Sequence, residues 1–271
     1  MNDQHRTGAA PPSDGAATDR PAPIDSGHDT THFGYEQVPV ADKARRVASV
    51  FASVAPRYDV MNDLMSLGSH RLMKRMTIEL SGVRPGHRVL DLAGGTGDLA
   101  ALFSSRVAPN GQVVLADINP SMLERGRDLL LDAGLGNVRP VLADAESLPF
   151  PDSCFDCVSI GFGLRNVTHK ERALAEMHRV LAPGGRLLVL EFSHPRNPLL
   201  GRAFDAWTSL WPTLGKLVTG DAESYRYLDE SIHMHPPQEA LSAMLEAAGF
   251  TAVRCHDLAG GIVALHRGIR P

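Results

Sequence analysis

From about residue 86 onward, short apolar runs alternate with longer segments whose apolar residues recur every three or four positions. The runs cover 89–92, 112–116, 138–143, 155–160 and 186–192. Each is a short, largely apolar run and predicts a strand. Between them, 98–107, 120–132 and 169–181 carry helical spacing, the last with Leu174, Met177 and Leu181 on one face. Strand–helix alternation of this kind predicts a doubly wound α/β fold, a parallel sheet with helices on both sides. Pro183-Gly184-Gly185 marks the turn into the fifth strand.

Both ends extend the pattern. Val47, Val50, Phe51 and Val54 predict an amphipathic helix ahead of Pro56, and Leu72, Met73, Met76 and Leu80 a second one before Pro85-Gly86. Near the C-terminus, Leu241, Met244, Leu245 and Ala248 predict a helix, followed by strands near 252–258 and 261–266. The connection Ala259-Gly260-Gly261 is too short for a crossover helix, so that last pair must be antiparallel. The expectation is a Rossmann-like seven-stranded sheet with six parallel strands and one antiparallel strand.

Two segments depart from the rhythm. Residues 1–35 are rich in Pro, Gly, Ala, Asp and Thr and have almost no large apolar residues before Phe33. Such a segment buries too little to offset its ordering entropy, and predicts a disordered tail ahead of a single domain at 36–271. Residues 194–235 hold both tryptophans, Trp207 and Trp211, with Phe204 and Leu214 on the same helical face, where a simple α/β unit needs only a short link. This insert is either additional core or a lid over an apolar substrate channel. The lid reading is preferred, with Trp207, Trp211, Arg202 and Lys216 touching a bilayer and Met61, Met65, Met73 and Met76 adding an adaptable apolar wall.

Composition narrows the class. A net charge of −4 gives no support for nucleic-acid binding, and 43% hydrophobic with 21% charged residues is ordinary for a soluble enzyme. No apolar stretch has the length of a membrane span. Three cysteines point to a reducing compartment, so a cytoplasmic protein is expected. Cys154 and Cys157 match C-x-x-C, but Cys157 falls within a predicted strand and reads better as a small buried hydrophobe.

The candidate chemistry lies at the strand ends. Asp91 closes the first strand and is followed by Gly94, Gly95, Thr96 and Gly97; Asp117 closes the second and Asp144-Ala145 the third. Open α/β sheets bind ligands at this edge. A pyrophosphate would be repelled by Asp91, whereas the cationic amine of S-adenosylmethionine (SAM) would not, and a carboxylate twenty residues after Gly97 suits two ribose hydroxyls. The competing reading makes each Asp a helix N-cap.

Several motifs then carry a resemblance over residues from about 41 to the end. They are Tyr58-Asp59-Val60-Met61-Asn62-Asp63-Leu64-Met65-Ser66, the 91–98 turn, Phe162-Gly163-Leu164-Arg165-Asn166-Val167-Thr168, Leu190-Glu191-Phe192-Ser193, Glu223-Ser224-Tyr225-Arg226-Tyr227-Leu228 and Val263-Ala264-Leu265-His266-Arg267-Gly268. The chain resembles class I SAM-dependent methyltransferases and, more closely, the ubiquinone/menaquinone biosynthesis C-methyltransferases. That resemblance implies SAM contacts at Thr96, Asp117, Asp144 and Ala145, beside Asp91, Gly94, Gly95 and Gly97. A further cofactor position, often serine, is Gly161 here. It also implies methylation of a ring carbon of a polyprenyl benzoquinol or naphthoquinol. It implies that quinol as partner; peripheral contact with the inner face of a membrane or with a quinone-biosynthesis assembly, and self-association, are further expectations. No metal is expected, because His233-Met234-His235 has no third ligand spaced to join it.

Carbon methylation requires a phenolate, and a cation to stabilise it. Arg165 is the choice for that role and Asn166 for orienting the quinol oxygen or a water; a structural ion pair is the alternative for Arg165. Tyr58 is expected to touch the quinol or cover the sulfonium. The base stays open among His233, His235, Tyr58 and Asp59, and one or both histidines also read as packing or surface residues. An O- or N-methyltransferase, or a non-catalytic SAM-binding subunit, is the alternative function.

Overall fold

The structure is a computed structural model that describes Met1 and residues 29–54, 63, 66 and 68–271. Tyr58, Asp59, Met61, Met65 and the tail up to residue 28 lie outside the described residues. Among the described residues, seven strands form the central sheet, in the order β5-β4-β3-β6-β7-β9-β8. They are β3 (Arg88–Leu92), β4 (Gln112–Asp117), β5 (Val138–Leu142), β6 (Phe155–Gly161), β7 (Leu181–Phe192), β8 (Thr251–Leu258) and β9 (Val263–Ile269). Pairing is parallel from β5 through β7, and β9 runs antiparallel to both its neighbours. Six strands therefore share one direction, as the short Ala259–Gly261 link requires. The β7 strand begins five residues earlier than its apolar run predicts, because pairing of Phe155 with Leu181 carries the ladder past the Gly184 turn.

Helices α3 (Asp98–Val107), α4 (Pro120–Asp132) and α5 (Lys170–Val180) fill the crossovers, and α9 (Gln238–Ala247) precedes β8. Successive side chains of a strand point to opposite faces, so each strand feeds two cores. Val89, Cys157, Leu188 and Leu190 pack with α3 and with α2 (His70–Ser81), whereas Leu90, Val158, Leu187 and Val189 pack with α5 and α9. Cys157 is buried as expected, and burial pushes its thiol pKa up.

The chain start differs from its expectation. Residues 30–35, placed in the tail on composition, belong to a hairpin of β1 (Thr30–Phe33) and β2 (Glu36–Pro39). Its anchor is tertiary: Phe33 stacks on Tyr227 at 4.2 Å between ring centres, and the Tyr35 N–H donates to Glu230. Local composition carries no trace of a partner almost two hundred residues away. The hairpin leads directly into α1 (Val40–Val54).

The insert forms three helices, α6 (Pro198–Thr208), α7 (Trp211–Thr219) and α8 (Glu223–His233), so the single face from Phe204 to Leu214 is interrupted. Pro212 sits in the first turn of α7, where it is tolerated, and cannot continue α6. Trp211 is fully buried against Phe192 and Phe204, which removes it from any bilayer contact; Trp207 is only half-buried. Met73 likewise belongs to the core and Met76 to the surface, so neither lines a channel wall.

Candidate active site

In the sheet order, β3 has β4 on one side and β6 on the other, and their connections leave toward opposite faces. A crevice opens beyond the strand ends at such a switch point. Here it is an open cleft lined by Gly95, Asp117, Asp144, Ala145, Phe162, Gly163 and Asn166 among others. Its far wall is helix α1, through Ala44, Val47, Ala48 and Phe51. Two residues at the mouth, Ala93 (φ +50°) and Phe162 (φ +58°), hold left-handed backbone without being glycine. Strain of this kind clusters at ligand sites.

Asp91 lies beneath the glycine turn and is completely buried. The Ser159 hydroxyl donates to its Oδ1 at 2.9 Å, and Oδ2 has no partner. Burial raises its pKa to about 7, against the opposing bond from Ser159. Gly94 passes directly over it: a Cβ there would stand 2.8 Å from Asp91 Oδ2 and 2.3 Å from Leu115 Cδ1. The turn continues through Gly95 and Gly97, at φ +58° and +87°, and Gly97 serves as N-cap of α3. A buried carboxylate with one oxygen open, under bare backbone, fits the ammonium of SAM.

Asp117 is nearly buried, its oxygens accepting from the Gly95 N–H (2.9 Å) and the Asn119 N–H (2.8 Å). Burial raises its pKa and these bonds oppose the rise. Each oxygen keeps a lone pair, which fits a ribose diol. The N-cap alternative fails at all three carboxylates. Gly97 and Asn119 occupy the caps of α3 and α4, while Asp144 accepts from the Glu146 N–H and no helix follows before β6. Asn119 also donates to the Ala48 carbonyl at 3.1 Å, tying α1 to the cleft. Gly161 lies half-buried behind the lining; a Cβ there would meet Leu99 Cδ1 at 2.7 Å, so a serine would crowd that leucine. Thr96 is buried within the turn.

Past β6 a tight 3-10 turn (Leu164–Asn166) presents Asn166 to the cleft. The Tyr227 hydroxyl donates to Asn166 Oδ1 at 2.9 Å, leaving the amide nitrogen free to donate outward. Burial pushes the Tyr227 pKa up and keeps it a donor. Arg165 is buried rather than in the lining. Its Nη1 meets Glu191 Oε1 at 2.7 Å and also donates to the Phe162 carbonyl, its guanidinium lies 5.5 Å from the Phe192 ring centre, and Nε is unpartnered. The ion pair allowed for in the sequence is present, and its partner is Glu191. A carboxylate inside the apolar run of β7 was the available signal for it. An aromatic path runs from Phe162 in the cleft to Phe192 (5.1 Å) and on to Phe204 and Trp211 of the insert.

His233 and His235 do not act together. The ring of His233 is bonded to the Asp229 carbonyl and lies near Asp205; burial lowers its pKa, but those bonds outweigh it and the net shift is upward. His235 is buried. Among the described residues no cluster of three His, Cys, Asp or Glu side chains is placed to hold a metal ion, and no helix is long and apolar enough to cross a membrane.

Comparison with known proteins agrees with this geometry. The family model described as "ubiE/COQ5 methyltransferase family" matches residues 40–270. The chain is 68% identical to the ubiquinone/menaquinone biosynthesis C-methyltransferase UbiE of Pseudomonas paraeruginosa, over 89% of this chain and 95% of that protein. It is 64% identical to the UbiE of Pseudomonas putida strain GB-1, covering 91% and 97%. Among solved structures, a SAM-dependent methyltransferase from Aquifex aeolicus shares the fold at TM-score 0.56 and 19% identity, over 78% of this chain and 98% of that one. The Rossmann-like class I fold and the match from α1 to the last strand have one conclusion: the chain belongs to the ubiE/COQ5 methyltransferase family.

Proposed function

We propose that the chain transfers the methyl group of SAM to a ring carbon of a polyprenyl benzoquinol or naphthoquinol, in ubiquinone or menaquinone biosynthesis. The names carried by relatives that align over almost their whole length support this reading. The observation that carries it is the 164–166 turn, which sets a fixed guanidinium and a free amide donor beside the cleft. SAM, when bound, supplies an electrophilic methyl on a sulfonium. The residues must supply the nucleophile. A phenol with pKa near 10 is about one part in a thousand ionised at pH 7, so providing phenolate is worth about 4 kcal/mol.

Arginine does not lose its proton in proteins, so Arg165, adjacent to Asn166 but out of the lining, acts on negative charge at the quinol oxygen through its field rather than by contact. Glu191 and Phe192 fix the guanidinium plane, so it needs no reorganisation when that charge develops. Asn166, oriented by Tyr227, donates to the same oxygen or to a water bound there. Asp91 and Asp117 hold SAM by its ammonium and ribose, with Gly94, Gly95, Thr96, Gly97, Asp144 and Ala145 around them.

The aromatic contacts from Phe162 through Phe192 to Phe204 and Trp211 join the cleft to α6 and α7, and the apolar tail would pass over the outer face of these helices, where Trp207 is half-buried. Leu199 and Leu217 stand exposed on these helices and Leu210 between them, with Arg202 and Lys216 also exposed. Such a surface suits peripheral contact with an anionic membrane, where a polyprenyl quinol resides. Cells lacking this protein should accumulate a quinone precursor that is one ring methyl short. An unchanged quinone profile would overturn the proposal.

A further inference from the structure

Helix α8 ends abruptly: the His235 N–H donates to the Ile232 carbonyl at 3.1 Å, and Pro236-Pro237 forbid continuation. The turn drives the His235 side chain inward, where it is 3% exposed. Neither ring nitrogen has a hydrogen-bond partner among the described residues. Its histidine neighbours differ. His194 Nε2 donates to the His235 carbonyl (3.1 Å), and His266 Nε2 donates to the Gln238 carbonyl (3.0 Å). Backbone oxygens therefore hold both neighbours in one tautomer; His266 Nδ1 is also unpartnered, but of the three only His235 has both ring nitrogens open among the described residues. An imidazole that loses water without gaining a partner weakens the fold, so its presence calls for another role.

The location indicates the role. Helix α8 also carries Tyr227, which grips Asn166 on the 164–166 turn. The charged or titratable groups facing His235 are Lys170 from α5, Arg165 from the turn, His266 from β9 and His194 from the stretch after β7. Glu191 and Glu146 in turn face Lys170. We propose that His235 accepts the proton of the quinol hydroxyl whose oxygen Arg165 stabilises; this rests on the placement of the quinol beside Arg165 and Asn166. Burial first, and then the surrounding positive groups, hold the His235 pKa well below 6.5, so at pH 7 it is the neutral acceptor form.

The O–H bond breaks with its electron pair left on oxygen, and an N–H bond forms on His235. The imidazolium, unwelcome among cations, is offset by the phenolate created in the same step. Once the ring carbon has taken the methyl group, with the C–S pair left on sulfur, that carbon sheds its hydrogen as a proton. The oxygen recovers a proton from His235, and one proton per turnover leaves to solvent.

The test uses the full chain with His235→Leu and His235→Asn, measuring SAM affinity, Tm, and kcat against pH at saturating SAM. Expected are a fall in kcat of about 100-fold or more, SAM affinity within twofold of wild type, and a Tm equal or higher, most clearly for Leu. Wild-type activity should fall as pH drops through a value below 6.5, where the imidazole is protonated, and that acid limb should vanish in both variants. Wild-type kcat with the limb retained would overturn the proposal, as would losses that only follow a lowered Tm. Arg165→Lys assayed in parallel separates the premises. If it alone loses turnover, His235 fails and the quinol placement stands; if it too stays near wild type, the placement itself fails.

Discussion

Arg165 and Glu191 form an ion pair whose side chains are 4% and 1% exposed, and that pair allows function to be separated from packing. Glu191 also accepts the Arg165 and Phe192 backbone N–H groups, at 3.2 and 2.9 Å. In Arg165→Met the carboxylate stays buried without its cation, a change that costs about 3–5 kcal/mol. At roughly 2–4 °C per kcal/mol for a domain of this size, Tm should fall by roughly 6–20 °C. The double variant Arg165→Met/Glu191→Leu removes both charges and keeps apolar volume beside Phe192. Replacing a buried pair in this way is often neutral or stabilising, but Glu191→Leu also takes the acceptor from two backbone N–H groups, so part of the lost Tm should return. Turnover should not return: with no guanidinium to hold phenolate, it should stay several orders of magnitude below wild type while SAM affinity is nearly normal. Calorimetric Tm, SAM titration and initial rates on the three proteins complete the comparison. A double variant that regains turnover together with Tm would show that Arg165 serves only packing.

Asp91 links stability to pH, because its folded pKa of about 7 exceeds an unfolded value near 3.8. The folded chain then binds the extra proton, so stability falls as pH rises from about 4 to 7, by on the order of 4 kcal/mol. Asp91→Asn should raise Tm at pH 8, change it little near pH 4, and weaken SAM binding; a Tm difference independent of pH would contradict this. The ammonium of SAM should also drive the proton off Asp91, so calorimetry near pH 7 in buffers of different ionisation enthalpy should show proton release in wild type and none in Asp91→Asn. Asp117→Ala should weaken SAM binding by roughly 1.5–3 kcal/mol, the range for bonds to charged groups, and unchanged affinity would count against the ribose placement. Trp211→Ala should cost about 3–5 kcal/mol as a core truncation. Trp207→Ala should cost little stability and instead narrow the preference for long polyprenyl tails, in assays where detergent partitioning is controlled.

The sheet was legible because β3, β4, β6 and the second half of β7 are apolar runs between turn signals, and because Ala259-Gly260-Gly261 admits no crossover. Helices α3 and α4 match their periodic segments end to end, since Gly97 and Asn119-Pro120 punctuate them locally. What was missed depends on distant partners. The hairpin at 30–39 is held by Phe33 on Tyr227, and the deep burial of Trp211 by Phe192 and Phe204. The same holds in the site. The three carboxylates announced themselves by falling at strand ends, but the far wall from α1 looked like one more apolar face turned to a core. Glu191 stood out as a carboxylate inside an apolar run, but its bond to Arg165 needed the β6–β7 pairing to bring the two together. His233 and His235 differ by position alone: two residues along a turn separate a half-buried ring facing carboxylates from a buried ring without a partner.

The central claim is transfer to carbon. Purified protein, SAM carrying a ¹³C methyl group, and a demethylated polyprenyl quinol kept reduced should yield a product whose label appears in the NMR spectrum as a methyl on an aromatic ring carbon, formed stoichiometrically with S-adenosylhomocysteine. Label appearing as a methoxy group, or no transfer to the quinol while SAM binds normally, would contradict the account.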